Sequence, residues 1–323
     1  MKRSMRRTRF PGLSILLLAS LIGCASEQQG AQRSETPPQT FASPEEAVKA
    51  LQAAVQSPDP AAMRELFGSE IRELMTGDKV QDANNRKRFA ELIAQGCQMA
   101  KEGEDRITLE VGPGAWPMPI PLVKANGAWY FDTAAGKEEI INRHIGKDEL
   151  TAIGVCRDYV AAQRLYAAEV GGGTTYAQKF RSSPGMKDGL YWPAAKNEPA
   201  SPFGPLVAEA HAEGYGQNPK AGPHPFHGYY FRILTQQGKD APGGEKDYVS
   251  DGKLTGGFAL VAYPARWDQS GVMTFIVNQD GKLYQRSLGE KTVQIAREMK
   301  AYNPDSSWSP VQDLGVSNAA SEK

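Results

Sequence analysis

GFALVAY at residues 257–263 and VMTFIV at residues 272–277 are two apolar runs that organise the C-terminal third of this 323-residue chain. Both contain the β-branched and aromatic residues that strands favour. The tetrapeptide NQDG at residues 278–281 predicts a turn after the second run, and residues 282–286 predict the returning strand. With an earlier run at Tyr229–Leu234, these segments predict an antiparallel β meander.

Upstream of the meander, the patterns predict helices first and a small sheet second. Ser43, Pro44 and Glu46 form the S-x-x-E signature of a helix start, with proline at the first helical position. Alternating apolar and polar residues at 106–111 indicate a half-buried strand. The other predicted elements are helices near residues 59–67, 84–101, 138–145, 147–170, 206–213 and 291–302, and a strand at residues 128–132.

These elements predict an α+β fold: a helical segment plus a small antiparallel sheet, then a long helix, an irregular loop and the antiparallel β meander. Residues 174–228 supply the loop, and a loop of that length is usually functional or an insertion. We predict five segments: an N-terminal leader at 1–23, a tether at 24–40, an N-terminal α+β domain at 41–146, a C-terminal α+β domain at 147–302 and a polar tail at 303–323.

The N-terminus has the features of an export signal. Residues 1–10 carry five basic residues and no acidic one, and residues 13–22 are apolar apart from two serines. The apolar run is about half of the roughly 20 residues that a membrane-spanning helix needs. The order Leu21-Ile22-Gly23-Cys24 resembles the lipobox of bacterial lipoproteins. That resemblance implies a lipoprotein signal peptide at 1–23 and a lipidated tether at 24–40, in which Cys24 becomes the mature N-terminus and carries lipid with acyl chains such as palmitate. A plain signal peptide or an uncleaved anchor are the alternatives.

The charge balance argues against a nucleic-acid partner. The chain has 37 basic and 37 acidic residues, and the predicted signal peptide contains five of the basic ones and none of the acidic ones. The mature chain therefore has 32 basic against 37 acidic residues, a net charge of −5. Affinity for nucleic acid comes from clustered lysine and arginine residues. The sequence also has no polybasic patch that would attract the chain to an anionic membrane surface. Lipid on Cys24 is then the predicted membrane contact.

The other two cysteines, Cys97 and Cys156, allow one disulfide in an oxidising compartment. The alternative is two buried thiols, because free cysteine is among the most buried residue types. Neither the spacing of the pair nor its neighbours favours redox catalysis or zinc binding.

No catalytic frame is recognisable in the sequence. A zinc site with three ligands could be formed by His211, His224 and His227, but no H-E-x-x-H or comparable motif supports it. A G-x-S-x-G nucleophile elbow is also missing. We therefore assign no catalytic residue, no metal and no cofactor, and expect a protein that is not an enzyme.

Aromatic and basic residues in the loop region and at strand ends form a candidate binding surface. Its members are Tyr191, Trp192, His227, Tyr229, Arg232 and Trp267. Exposed aromatic residues on loops bind glycans, peptides or proteins. The alternative is that these aromatics attach the long loop to the sheet, since most large aromatic side chains are substantially buried.

Two resemblances extend this interpretation. The long helix, irregular loop and meander over residues 147–290 resemble the globular head of type II secretion pseudopilins, which implies a related fold. The motifs FHGYYFR at 226–232, APGG at 241–244, GGFALVAYP at 256–264 and GVMTFIV at 271–277 are similar to those of a bacterial envelope family, domain of unknown function 2950. That family implies no assigned activity.

The sequence thus predicts a lipid-anchored protein of the bacterial cell envelope that binds or scaffolds another envelope protein. It would face the periplasm, with the outer membrane favoured, or the cell exterior. Ala25 after the cysteine resembles the pattern of outer-membrane sorting in enterobacteria-like hosts. The alternative is a periplasmic small-ligand binder or hydrolase whose site lies where the 174–228 loop meets the final sheet, with Tyr229, Arg232 and His227 as candidate groups.

Overall fold

The computed structural model describes residues 36–216 and 224–312, which belong to one compact unit. They form a mixed α+β structure of helices and antiparallel sheets, as predicted. The predicted signal peptide, Cys24 and most of the polar tail lie outside the described residues. Among the helices that are described, none combines the length and the apolar character needed to cross a membrane.

Three helices open the fold: α1 (Pro44–Gln56), α2 (Pro60–Phe67) and α3 (Lys79–Gln95), with a 3₁₀ turn at Ser69–Leu74. Ser43 caps α1 as predicted, because its Oγ accepts a hydrogen bond from the Glu46 N–H at 3.2 Å. The Glu46 carboxylate reaches back to the Ala42 N–H at 3.2 Å and completes the start of the helix.

The third helix differs from its predicted range of 84–101. Asp78 caps it, so that it begins five residues earlier than expected, and it ends before Gly96. Residues 97–101 form a strand instead, because they pair along their whole length with residues 107–111. Local propensity alone does not specify such a strand; its hydrogen-bonding partner does.

The first sheet contains β1 (Cys97–Lys101), β2 (Arg106–Val111), β3 (Trp116–Pro117), β4 (Leu122–Ala125) and β5 (Ala128–Phe131). Its order is β1-β2-β4-β5, with β3 also beside β2, and every pairing is antiparallel. The alternation predicted for β2 is confirmed, because Ile107, Leu109 and Val111 are at most 1% exposed. Asn126 and Gly127 turn the chain into β5 with positive φ angles of 53° and 82°.

A single helix, α4 (Thr133–Glu169), replaces the two helices predicted at 138–145 and 147–170. The predicted break was at Gly146, since glycine costs about 1 kcal/mol in a helix interior. That cost is small beside the packing of a helix of 37 residues whose inner face is buried. The predicted boundary between the two domains, at residues 146 and 147, therefore lies within one helix.

The second half contains α5 (Gly204–Ala212), ten strands and a final helix, α6 (Thr292–Glu298). The strands are β6 (Tyr229–Leu234), β7 (Gln236–Gln237), β8 (Lys246–Asp247), β9 (Val249–Ser250), β10 (Lys253–Leu254), β11 (Ala259–Pro264), β12 (Met273–Asn278), β13 (Leu283–Ser287), β14 (Ala301–Tyr302) and β15 (Ser309–Pro310). The main sheet has the order β15-β13-β12-β11-β6 and is antiparallel, so the predicted meander is confirmed.

The end of the described chain differs from its prediction in two places. The helix expected over 291–302 stops at Glu298, and β14 then pairs in parallel with β7. Part of the segment predicted as a polar tail is also packed on the body: β15 pairs with β13, and Trp308 is 9% exposed.

Two clusters of buried side chains form the core. One packs α1, α2 and α3 against the first sheet, with the rings of Phe67 and Phe131 5.1 Å apart. The other packs the C-terminal part of α4 against the main sheet, around Tyr159, Phe258 and Phe275. Because α4 contacts the 3₁₀ turn of the first half and strands β11 and β12 of the second, it connects the two clusters.

Candidate functional site

A buried polar cluster lies where α3 and α4 meet the chain around β6. We call it the polar seam, and it consists of Asp78, Gln81, Asp148, Tyr215, Gly228 and Ser270. The four polar side chains at its centre are between 0% and 4% exposed, and they are Asp78, Gln81, Asp148 and Ser270. Buried polar atoms cost free energy unless they are hydrogen-bonded. Each atom of the seam therefore needs a partner within the fold.

Asp78 uses its two carboxylate oxygens for two different halves of the protein. Its Oδ1 caps α3 by accepting from the N–H groups of Val80 at 3.0 Å and Gln81 at 3.1 Å. Its Oδ2 accepts from the Tyr215 hydroxyl at 2.8 Å and from the Gly228 N–H at 3.3 Å. The cap of an N-terminal helix thus also holds the segment that leads into the main sheet.

Asp148 is the most unusual ionisable group of the seam. It is 0% exposed, on the inner face of α4, and its Oδ1 accepts from Gln81 Nε2 at 2.5 Å. Its pKa is raised from 3.8 to about 7, mainly by burial and to a smaller extent by the nearby carboxylates of Asp78 and Asp82. The hydrogen bond from Gln81 and the charge of Lys147 act in the opposite direction. Near neutral pH, this carboxyl is therefore partly protonated.

Gly228 closes the seam on the side of the main sheet. Its φ is +71°, and a Cβ at this position would lie 2.6 Å from Asp148 Oδ2 and 2.8 Å from the Ser270 Cβ. Only glycine fits there, because both the backbone conformation and the space exclude a side chain. The Ser270 hydroxyl is used within its own turn, where it accepts from the Arg266 N–H at 3.1 Å.

His227 and Tyr215 form the outer part of the same region. His227 Nε2 lies 2.8 Å from Glu213 Oε2, and the His227 N–H donates to the Tyr215 hydroxyl at 3.3 Å. The pKa of Tyr215 is raised by burial and by its hydrogen bond to Asp78. The Nδ1 atom of His227 is buried and has no hydrogen-bond partner among the described residues.

Among the described residues, the polar seam coincides neither with a cluster of metal ligands nor with the surface depression beside α6. In the parts of the chain that the structure describes, no group of three or more His, Cys, Asp or Glu side chains could hold a metal ion. A shallow surface depression of about 450 Å³ lies instead beside α6, where residues 290, 291, 293, 294, 297 and 298 line it. None of these residues belongs to the polar seam.

The residues of the predicted binding surface are mostly engaged in packing. Tyr229 is 0% exposed and donates from its hydroxyl to the Met273 carbonyl at 2.8 Å; Trp192 is 7% exposed within the second core cluster. These two side chains cannot contribute to a surface. Tyr191 is half-buried and packs against the same cluster, with the Arg181 guanidinium 5.2 Å from its ring centroid.

Arg232, Trp267 and His227 also have partners inside the protein. Arg232 donates to the carbonyl of Ala296 at 2.7 Å and to that of Met299, and thereby holds the end of α6. Trp267 Nε1 donates to Ser287 Oγ at 3.2 Å. The candidate groups of the hydrolase alternative, Tyr229, Arg232 and His227, are therefore occupied by structural contacts.

The cysteines do not form the disulfide that the sequence allows. Cys97 and Cys156 are both free thiols, and they belong to different core clusters. Cys97 is half-buried and Cys156 is buried. Burial raises the pKa of both thiols, which lowers their reactivity. Cys24 lies outside the described residues.

Sequence reasoning missed Asp78, Gln81 and Asp148. The Gly77-Asp78 pair is a detectable helix start, but the helix was expected to begin further along. Asp148 stands between Lys147 and Glu149, and such a charged triplet normally indicates a solvated helix face. Its burial becomes evident only when α3 and α4 are brought together in space.

The comparisons with known proteins agree with the family resemblance of the sequence motifs. A family model described as "Protein of unknown function (DUF2950)" matches residues 38–311. No curated protein and no solved structure matches the chain. The resemblance to pseudopilin heads therefore stays a prediction.

Proposed function

This chain belongs to the DUF2950 family of proteins of unknown function, and we propose that it is a lipid-anchored protein of the bacterial cell envelope that works by binding another envelope component. The observation that carries the proposal is Leu21-Ile22-Gly23-Cys24 directly after a basic and then apolar leader. A cysteine in that position is the acceptor of the lipid, so one residue would determine both processing and anchoring.

The body begins a short distance after the proposed lipid. Thr36 accepts from the Ser69 N–H at 2.9 Å, Gln39 donates to the Glu65 carbonyl at 3.0 Å, and Phe41 pairs with Trp129. Part of the segment predicted as a tether thus contacts the folded body. Residues 25–35 would span at most about 40 Å even if fully extended. The proposed anchor keeps the body close to the membrane surface.

Lipidation is tested by comparing the wild type with Cys24→Ala, using Cys97→Ala as the matched control. We expect the wild type to enter the detergent-rich phase of a phase-separation assay, to incorporate a labelled fatty acid and to begin at Cys24 by intact mass. Cys24→Ala should lose all three properties, whereas Cys97→Ala should keep them. A wild-type mature chain that starts elsewhere and has no diacylglyceryl group would refute the anchor.

The location is a second, separable part of the proposal. In an enterobacterial host, we expect the wild type to fractionate with the outer membrane and Ala25→Asp to move to the inner membrane. Both proteins should remain in the detergent-rich phase, which separates sorting from lipidation. Fractionation that does not respond to Ala25→Asp would contradict the outer-membrane assignment and leave the lipid test unaffected.

A binding role is supported by large apolar side chains on the surface. Leu150 is 61% exposed and Met186 is 57% exposed, so both apolar side chains are available to a partner. Photo-crosslinking residues at positions 150 and 186 should yield a defined adduct in intact cells, whereas one at the exposed Lys239 should not. If positions 150 and 186 give the same products as position 239, the binding proposal fails.

A further inference from the structure

Two buried oxygen atoms of the polar seam have no hydrogen-bond partner among the described residues. They are Gln81 Oε1 and Asp148 Oδ2, and they belong to the same two side chains that are joined by the Gln81 Nε2 to Asp148 Oδ1 hydrogen bond. An ionised carboxylate accepts hydrogen bonds but cannot donate one. It therefore cannot donate to Gln81 Oε1, and its own Oδ2 is left without a donor. A carboxylic acid has one donor and one acceptor, and a primary amide matches both.

We propose that Asp148 and Gln81 form a proton-binding site: Asp148 carries a proton on Oδ2, this O–H donates to Gln81 Oε1, and the resulting two-bond pair closes the contact between α4 and α3. Loss of the proton would break one of the two bonds and leave an unpaired charge in the seam. The contact between the two halves of the protein is then controlled by pH. This inference does not depend on lipid anchoring.

The groups around the pair favour the protonated form. Asp78 and Asp82 face it from the start of α3, and Lys147 and Glu149 are its neighbours on α4. Tyr229, on β6, is close enough for its pKa to be raised by Asp148 and Glu149, after the larger effect of burial. The basic groups beside these carboxylates are Lys147, whose side chain is exposed, and His144, which faces Asp82 and whose pKa is lowered by burial. Burial of the Asp148 carboxyl opposes the ionised form most strongly.

Ionisation of Asp148 would act on the segment that leads into the main sheet. Gly228 lies directly against Asp148 Oδ2, and its N–H donates to Asp78 Oδ2 at 3.3 Å. A charged Asp148 needs water or a donor, and the Gly228 contact leaves no space for either. The pair and Gly228 must therefore separate, and the Tyr215 to Asp78 hydrogen bond lies in the same contact.

The site is tested with the purified mature protein by infrared spectroscopy and hydrogen exchange between pH 4 and pH 9. We expect an infrared band of a protonated carboxyl group that disappears with a midpoint near pH 7 and is missing in Asp148→Asn. After correction for the intrinsic rate, amide exchange at residues 78–82 and 226–229 should accelerate by up to about tenfold from pH 6 to pH 8, the most that one proton with a midpoint near pH 7 can contribute. Asp148→Asn should show no such acceleration.

Asp188, which is 30% exposed and paired with Lys179, provides the matched control, because Asp188→Asn changes the same group where no buried pair exists. It should keep both the band and the acceleration. If Asp148→Asn does not fold, Gln81→Met tests the same pair: it removes the acceptor of the Asp148 O–H together with the Nε2 donor, so amide exchange at residues 78–82 should already be fast at pH 6 and gain less than twofold by pH 8. A band that persists in Asp148→Asn, an acceleration that survives it, or wild-type exchange behaviour in Gln81→Met overturns the proposal.

Discussion

Asp148→Asn should make the protein more stable at neutral and alkaline pH. An asparagine amide has the shape of a protonated carboxyl group, so its Nδ2 can donate to Gln81 Oε1 while its Oδ1 accepts from Gln81 Nε2. The variant thus keeps both bonds of the proposed pair at every pH. Removing a buried charge without removing volume normally costs little packing energy.

The expected magnitude follows from the pKa of Asp148. Because the folded protein holds the proton up to about pH 7 and the unfolded chain releases it near pH 3.8, folding takes up a proton between these values. The free energy of unfolding of the wild type therefore falls as the pH rises from 4 to 7 and is constant above. Three pKa units correspond to about 4 kcal/mol, an upper bound if water reaches the seam.

Urea unfolding of the wild type and of Asp148→Asn at pH 4, 5.5, 7 and 8.5 measures this difference. The two proteins should have nearly equal stability at pH 4, and the variant should be more stable by up to about 4 kcal/mol at pH 8.5, a Tm difference on the order of 10 °C. Asp188→Asn should follow the wild-type slope, because the hydrogen bond from Lys179 holds the Asp188 pKa at about 2, outside this window. Parallel curves for wild type and Asp148→Asn would refute the reasoning.

Other substitutions test how the seam is built. Asp78→Ala should destabilise the protein by about 3 kcal/mol, because it removes a helix cap and leaves the Tyr215 hydroxyl and the Gly228 N–H unpaired. Asp59→Ala removes a cap alone and should cost about 1 kcal/mol; equal losses would contradict the double role of Asp78. Gly228→Ala should cost roughly 2–4 kcal/mol from backbone strain and contact with Asp148. Tm measurements near the wild-type value for Gly228→Ala would show that the seam is loosely packed.

The fold was predictable wherever a pattern is local. Ser43 and Glu46 specify the start of α1, and Tyr229–Leu234 is a strand with the bounds that its composition predicts. Errors arose where a distant partner decides the structure. Residues 97–101 become a strand because residues 107–111 lie beside them, and residues 301–302 leave the predicted helix to pair with residues 236–237.

The candidate site was less predictable than the fold, for a related reason. The predicted binding surface was chosen by residue type, and type does not distinguish an exposed aromatic from one that holds a loop to a sheet. Tyr229 shows the difficulty: Gly271 has no side chain, and the Tyr229 hydroxyl lies 2.1 Å from where a Cβ would be placed. The tyrosine is buried in that gap and is 0% exposed.

The residues of the seam are separated by long stretches of sequence. This separation explains why the sequence patterns do not reveal the seam and why a change within it affects distant parts of the fold. Asp148 meets Gln81 across 67 positions, and Asp78 meets Gly228 across 150. A polar contact between such distant segments contributes nothing to local structure, so its burial has to be maintained by the packing of α3, α4 and β6 together. When Asp148 gains or loses its proton, the hydrogen bonds of this contact change, and the response cannot remain local. It reaches the cap of α3 through Asp78 and the start of the main sheet through Gly228, and these two residues form one of the contacts between the two halves of the protein.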